Sequence, residues 1–125
     1  MKSSVRKLPE AELAVMQALW SQSGPVRRAE LEKVLQTSHP MAPTTLLTLL
    51  SRLAEKKFVE IRKEGRGAVY LPLVSRQEYT ASCTGSLLET LCGGSLPAFA
   101  AALCDCGLSP QELEELRRLL ERDAL

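Results

Sequence analysis

Long apolar runs are missing from this sequence. None approaches the roughly 18 residues that a bilayer-spanning helix requires, so no membrane insertion is expected. The opening stretch Met1-Lys2-Ser3-Ser4-Val5-Arg6-Lys7 has no apolar segment behind it and does not read as an export signal, so a cytoplasmic location is the expectation. Histidine is almost absent. His39 stands beside Pro40 with no Cys or carboxylate at ligand spacing, which suits a turn or a surface position. There is no Ser/His/Asp set, no paired carboxylates in a cleft-like context and no Gly-rich phosphate loop. Enzyme chemistry is therefore not expected, and no residue is assigned a catalytic role. Cysteine is lacking from the front of the chain: Cys83, Cys92, Cys104 and Cys106 all lie in the back half. Without an export signal they read as thiols or metal ligands rather than disulfides.

What is present suits one small domain with an appendage: 125 residues, 45% hydrophobic and 25% charged. The net charge of +1 conceals an asymmetry. Residues 1–75 carry 12 Lys and Arg against 7 Asp and Glu, whereas residues 76–125 carry 4 against 8. The front half can face a polyanion and the back half need not.

Leu8-Pro9-Glu10 opens a first helix, with Pro9 suited to its first turn and Glu10 and Glu12 to the positive end of its dipole. Leu13, Met16, Leu19 and Trp20 fall on one face, Val15 at its edge, and Gly24-Pro25 ends the element. A second helix is expected over about 28–36, with Ala29, Leu31, Val34 and Leu35 apolar. A third is expected from Pro43 to about Lys57, with Leu46, Leu50 and Leu53 facing the core. Two β-prone runs, 58–64 and 68–74, flank Gly65-Arg66-Gly67 and read as a hairpin. Three short helices followed by a hairpin is the winged helix-turn-helix order. The fold expected is therefore mainly α with a small β-hairpin wing: a winged helix-turn-helix domain over 1–75, then a helical tail over 76–125. Helices are expected over about 76–92, 96–104 and 110–122, with capping boxes at Ser75-x-x-Glu78 and Ser109-x-x-Glu112.

The third helix and the hairpin carry the functional signal. Thr45, Thr48 and Arg52 fall within about 60° of one another at helical spacing, with Thr44 at their flank. Thr can bond a base edge or a phosphate and pack its methyl on thymine, and Arg52 can reach guanine or a phosphate. The N–H groups around Thr44 and Thr45 suit a phosphate oxygen. Leu49, at the edge of the apolar face, is grouped with these DNA-facing residues. The hairpin adds Arg62, Lys63 and Arg66, which suit the phosphate backbone or the minor groove. Solvation alone would also explain polar residues on a surface helix, but three Thr in two turns is an odd choice for that purpose, since Thr is mildly helix-disfavouring.

These residues match a family. Leu8-Pro9-x-x-Glu12-x-x-Val15-Met16-x-x-Leu19-Trp20, Pro43-x-Thr45-x-x-Thr48-Leu49-Leu50-x-Arg52-Leu53, Lys56-Lys57 and Gly65-Arg66-x-x-x-Tyr70-x-Pro72 together resemble the penicillinase repressors. That family holds the β-lactamase and methicillin-resistance repressors and copper-responsive relatives. Tyr79, Gly94-Ser95-Leu96 and Leu108-Ser109-x-x-Glu112-Leu113 extend the resemblance to about residue 120. It implies a homodimeric repressor on a two-fold symmetric, palindromic operator in double-stranded DNA. It also implies that Thr45, Thr48 and Arg52 face the major groove and that Arg66 makes the wing contact. A membrane sensor protease would release the repressor by a cut in the penultimate helix, here at about Ala102-Leu103. The chain departs from the family pattern at Met41 (usually Trp), Ala42 (usually a Ser cap) and Lys57 (usually Gly), and has alanine where the cleavage point is usually polar. Loss of the cap costs about 1 kcal/mol, and Lys57 must adopt an uncomfortable turn.

The tail helices are short and amphipathic, with too little chain for a core of their own. Leu87, Leu88, Leu91, Leu96, Phe99, Leu103, Leu113, Leu116, Leu119 and Leu120 are the expected dimerisation residues. No cofactor is expected, although Cys104-Asp105-Cys106, doubled in a dimer, offers a four-thiolate set suited to Zn²⁺ or Cu(I). The alternative to a repressor is a winged protein-interaction module without specific DNA binding. It is separated from the first reading by whether Arg52, Arg62, Lys63 and Arg66 are exposed alongside Thr45 and Thr48.

Overall fold

The computed structural model describes residues 7–123; the opening stretch 1–6, on which the reading of the N-terminus rested, lies outside them. The described chain forms two compact units, divided between Cys83 and Thr84.

In the first unit, α1 (Glu10–Trp20), β1 (Val26–Arg27), α2 (Arg28–Ser38), α3 (Pro43–Glu55), β2 (Val59–Glu64) and β3 (Gly67–Pro72) follow in order. The wing is an antiparallel hairpin in which Val59 pairs with Pro72, Ile61 with Tyr70 and Glu64 with Gly67. Only Gly65 and Arg66 remain at its tip. Gly65 takes φ +65 at the first loop position, while Arg66 keeps a negative φ, the pattern of a tight turn that matches the twist of the strands. The two-residue β1 was not foreseen. It pairs Val26 with Tyr70 and Arg27 with Val69, making a three-stranded sheet in the order β1-β3-β2. A two-residue strand offers no alternation to read, so only the tertiary fold reveals it.

One core holds this unit together. Val15, Met16 and Leu19 of α1 meet Leu31 and Leu35 of α2, Leu46, Leu50 and Leu53 of α3, and Val26, Val59 and Tyr70 of the sheet. Val15 is fully buried rather than at an edge, because α1 is covered by both other helices and by β3. Ala29, expected inside, is exposed.

The unit extends beyond the expected boundary at residue 75. α4 runs from Arg76 to Thr90, and its first half belongs to the winged domain. Tyr79 is buried, its hydroxyl accepts the Leu8 N–H at 2.8 Å, and its ring packs against Trp20 at 5.8 Å and Phe58 at 6.0 Å. Trp20 Nε1–H donates to the Val74 carbonyl at 2.9 Å. One aromatic side chain thus ties the start of α4 to the first helix and to the base of the wing.

The second unit holds the rest of α4, α5 (Leu96–Asp105) and α6 (Pro110–Asp123). Two capping boxes close as expected: Ser75 with Glu78 at the start of α4, and Ser109 with Glu112 at the start of α6. Ser95 caps α5 by accepting the Ala98 N–H at 3.2 Å. No described side chain after Tyr79 is fully buried. No helix among the described residues is long and apolar enough to cross a membrane.

Candidate nucleic-acid interface

α3 divides its faces sharply. Leu46, Leu49, Leu50 and Leu53 are buried, while Thr44, Thr45, Thr48, Ser51 and Arg52 are exposed. Leu49 is therefore corrected: it belongs to the core and not to the DNA-facing set. Its place beside Leu46, Leu50 and Leu53 closes a four-leucine face wider than the three-leucine one expected.

The N-terminus of α3 is open. Ala42 at the cap position has φ −69 and ψ 150 and supplies no side-chain bond, as its identity predicts. Pro43 contributes no N–H, so the uncapped donors belong to Thr44 and Thr45 on the exposed side. The Thr48 hydroxyl donates to the Thr44 carbonyl at 3.0 Å. That bond uses its one proton and leaves oxygen lone pairs and a methyl, which suit a base amino group or the thymine methyl.

At its other end α3 closes by a two-bond turn. Phe58 N–H donates to Leu53 O at 2.9 Å and Lys57 N–H to Ala54 O at 3.1 Å. Lys57 adopts φ +69, the left-handed geometry expected for a lysine standing where the family has glycine. The helix end is also held by an ion pair that sequence reading missed: Lys56 Nζ lies 2.5 Å from Glu12 Oε1, and Glu12 is the one buried charged residue among those described. Glu12 looked like a dipole partner in a first turn, and nothing in its spacing points 44 residues ahead.

On the wing, Arg62, Lys63 and Arg66 are all exposed. Acids accompany them. Arg62 pairs with Glu60 at 3.3 Å, and Glu64 pairs with Arg27 of β1 at 3.5 Å. β2 packs directly on α3, so the basic hairpin and the Thr/Arg helix are neighbours.

In the tail, Leu87, Leu91, Leu96, Leu119 and Leu120 are exposed, and Leu88, Phe99, Leu103, Leu113 and Leu116 are half-buried. Ala102 is exposed and Leu103 half-buried, both within α5. Cys104 and Cys106 are exposed free thiols. Among the described residues, no group of three or more His, Cys, Asp or Glu is placed to hold a metal ion.

Known proteins bear on this arrangement directly. The family model for the penicillinase repressor matches residues 8–122. The chain is 31% identical to the penicillinase repressor of Bacillus licheniformis over 121 residues, covering 94% of each chain. It is 29% identical to the transcriptional regulator BlaI of Mycobacterium tuberculosis, covering 94% of this chain and 86% of that one. Among solved structures it resembles the Bacillus licheniformis BlaI monomeric form in complex with the blaP half-operator. That match has a TM-score of 0.52 and 34% identity, over 63% of this chain and 94% of the other. The chain belongs to the penicillinase-repressor family, whose members are transcriptional repressors and not enzymes.

Proposed function

We propose that this repressor binds a palindromic operator as a homodimer, reading bases with Thr45, Thr48 and Arg52 while Thr44, Arg62, Lys63 and Arg66 hold the backbone. The observation that carries the reading is the two-sided α3, with four leucines buried and its threonines and Arg52 exposed next to a basic wing. The half-operator complex of BlaI, 34% identical over 63% of this chain, supports it. A pure interaction module would not require three threonines and an arginine on one uncapped helix.

The tail supplies the two-fold partner. Exposed leucines on α4, α5 and α6, with no fully buried side chain after Tyr79 among the described residues, favour burial against a second copy. Release follows cleavage by a membrane sensor protease in α5 at Ala102-Leu103. Within a single chain α5 contains no buried residue, so once the dimer parts a protease can unwind it. Metal release through Cys104 and Cys106 is the second route, and it requires a partner subunit to complete four thiolates.

The test is a titration of the chain against the duplex upstream of its own gene at several salt concentrations. Binding as two chains per duplex, weakening steeply with salt, is expected. Salt-independent binding, or none, overturns the reading.

A further inference from the structure

We propose a second DNA contact, a seat for a backbone phosphate in the cleft between β1, the start of α2, α3 and the wing. Arg27 is its ligand, and Glu64 is the carboxylate that holds Arg27 until DNA arrives. The proposal rests on the DNA-binding reading above and adds to it a site outside the recognition helix and the wing tip.

The cleft measures about 310 Å³ and is lined by Arg27, Arg28, Ala29, Leu47, Gly67, Ala68 and Tyr70. Two consecutive arginines thus stand where the chain passes from β1 into α2. Small residues, Ala29 on one side and Gly67 and Ala68 on the other, keep the space open. A Cβ built on Gly67 would come within 3.1 Å of Arg27 Nη1, so the guanidinium packs close over Gly67 as it reaches across β3 and would have to shift only slightly for a larger residue. What it reaches is Glu64, at 3.5 Å, with the two side chains 48% and 58% exposed. An ion pair that long and that wet is weak, and a phosphate can displace it. Arg28 is occupied differently, with Glu32 at 3.1 Å, and the Glu30 carboxylate accepts the Arg27 backbone N–H at 2.9 Å. Glu64 is therefore the acid that competes for the Arg27 side chain.

The position suits a phosphate strand. On α3, Leu47 lies about 140° around the helix from Arg52, with Thr44, Thr48 and Ser51 between them. A helix in the major groove, about 12 Å wide, has a phosphate strand along each flank. With Thr45, Thr48 and Arg52 facing the bases, Leu47 lies toward one phosphate strand, and Leu47 is the α3 wall of this cleft. The strand on that side passes the Arg27 guanidinium, which exchanges the Glu64 carboxylate for a phosphate oxygen.

The experiment measures affinity of the full chain for two duplexes, one from upstream of its own gene and one of scrambled sequence, against salt. Arg27→Gln is expected to weaken both about threefold to tenfold and to lower the salt slope by about 0.9, the value of one phosphate. Arg27→Lys should recover most of the loss. Glu64→Gln is expected to tighten both duplexes, and by less when Arg27 is already Gln. Unchanged affinity and slope for Arg27→Gln overturn the proposal while leaving the wild-type operator binding intact. An effect confined to the operator duplex also overturns it, because a phosphate contact carries no sequence preference. If inorganic phosphate shifts the Arg27 side-chain resonance but Arg27→Gln leaves both duplex affinities unchanged, the cleft takes a free anion and not DNA. If the wild type binds neither duplex, the DNA reading falls and this site with it.

Discussion

Lys56 Nζ lies 2.5 Å from Glu12 Oε1, joining the C-terminal cap of α3 to the first turn of α1 across 44 residues of chain. Glu12 is nearly sealed from water, its side chain only 4% exposed, so the pair acts in a medium that screens it poorly. The contact holds the end of α3 at the residue before the left-handed turn at Lys57. The orientation of α3, and with it of Thr45, Thr48 and Arg52, therefore depends on a pair with α1.

Removing one partner strands the other. Lys56→Ala is expected to destabilise the winged domain by about 3 kcal/mol, because Glu12 is left charged and buried. The double replacement Glu12→Leu with Lys56→Met should recover most of that loss. Urea unfolding of the three chains checks this. Equal midpoints for Lys56→Ala and wild type would mean that the pair is screened and adds nothing.

Lys57 is a strained position in the same turn. With φ +69 it occupies a conformation that costs a side-chain-bearing residue about 1 kcal/mol or more. Lys57→Gly should stabilise the fold by about 0.5 kcal/mol after the looser unfolded chain is counted, and Lys57→Val should destabilise it. A calorimetric scan with the reverse order would contradict the turn geometry.

Much of this architecture can be read in the residues themselves. The leucine spacing of α3, the paired capping boxes and Gly65-Arg66 at the wing tip are local, and local signals survive in one sequence; the strain at Lys57 shows only against the glycine of the family pattern. What escapes is what joins distant segments. β1 is two residues long and exists because β3 lies beside it. Glu12 looks like an ordinary first-turn acid until α3 folds over it. Leu49 sits at the angular edge of its helix, and only the packed core decides that it is buried. The boundary at residue 75 followed a capping box, which marks where a helix starts but not which body the helix joins.

That boundary leads to a prediction about truncation. A chain ending at Val74 loses Tyr79, and with it the acceptor for Leu8 N–H and the ring between Trp20 and Phe58. A chain ending at Cys83 keeps them. The longer fragment is expected to be a folded monomer and the shorter one to melt several degrees lower. Sedimentation and thermal unfolding decide it, and a dimeric 1–83 fragment would place the subunit interface outside the tail.

Tyr79 also sets an alkaline limit. Burial is the main cause that lifts its phenol above the ordinary 10.0; the Leu8 hydrogen bond lowers it and Cys83 raises it. The folded chain thus keeps this proton to higher pH than the unfolded chain does. The associated stability is whole below about pH 10 and is lost as pH rises through the folded value. Tyr79→Phe should remove this dependence and cost about 1–3 kcal/mol at neutral pH, because the Leu8 N–H loses its acceptor. An unchanged alkaline profile in Tyr79→Phe would assign the limit to another group.

Whether the exposed arc of α3 reads base sequence is decided by Arg52→Ala. Affinity of wild type and variant is measured for the duplex upstream of the chain's own gene and for a scrambled duplex at one salt concentration. Arg52→Ala is expected to lose about 1–3 kcal/mol on the operator and far less on the scrambled duplex, with the thermal midpoint unchanged. An equal loss on both duplexes, or none on either, would contradict base reading by this arc.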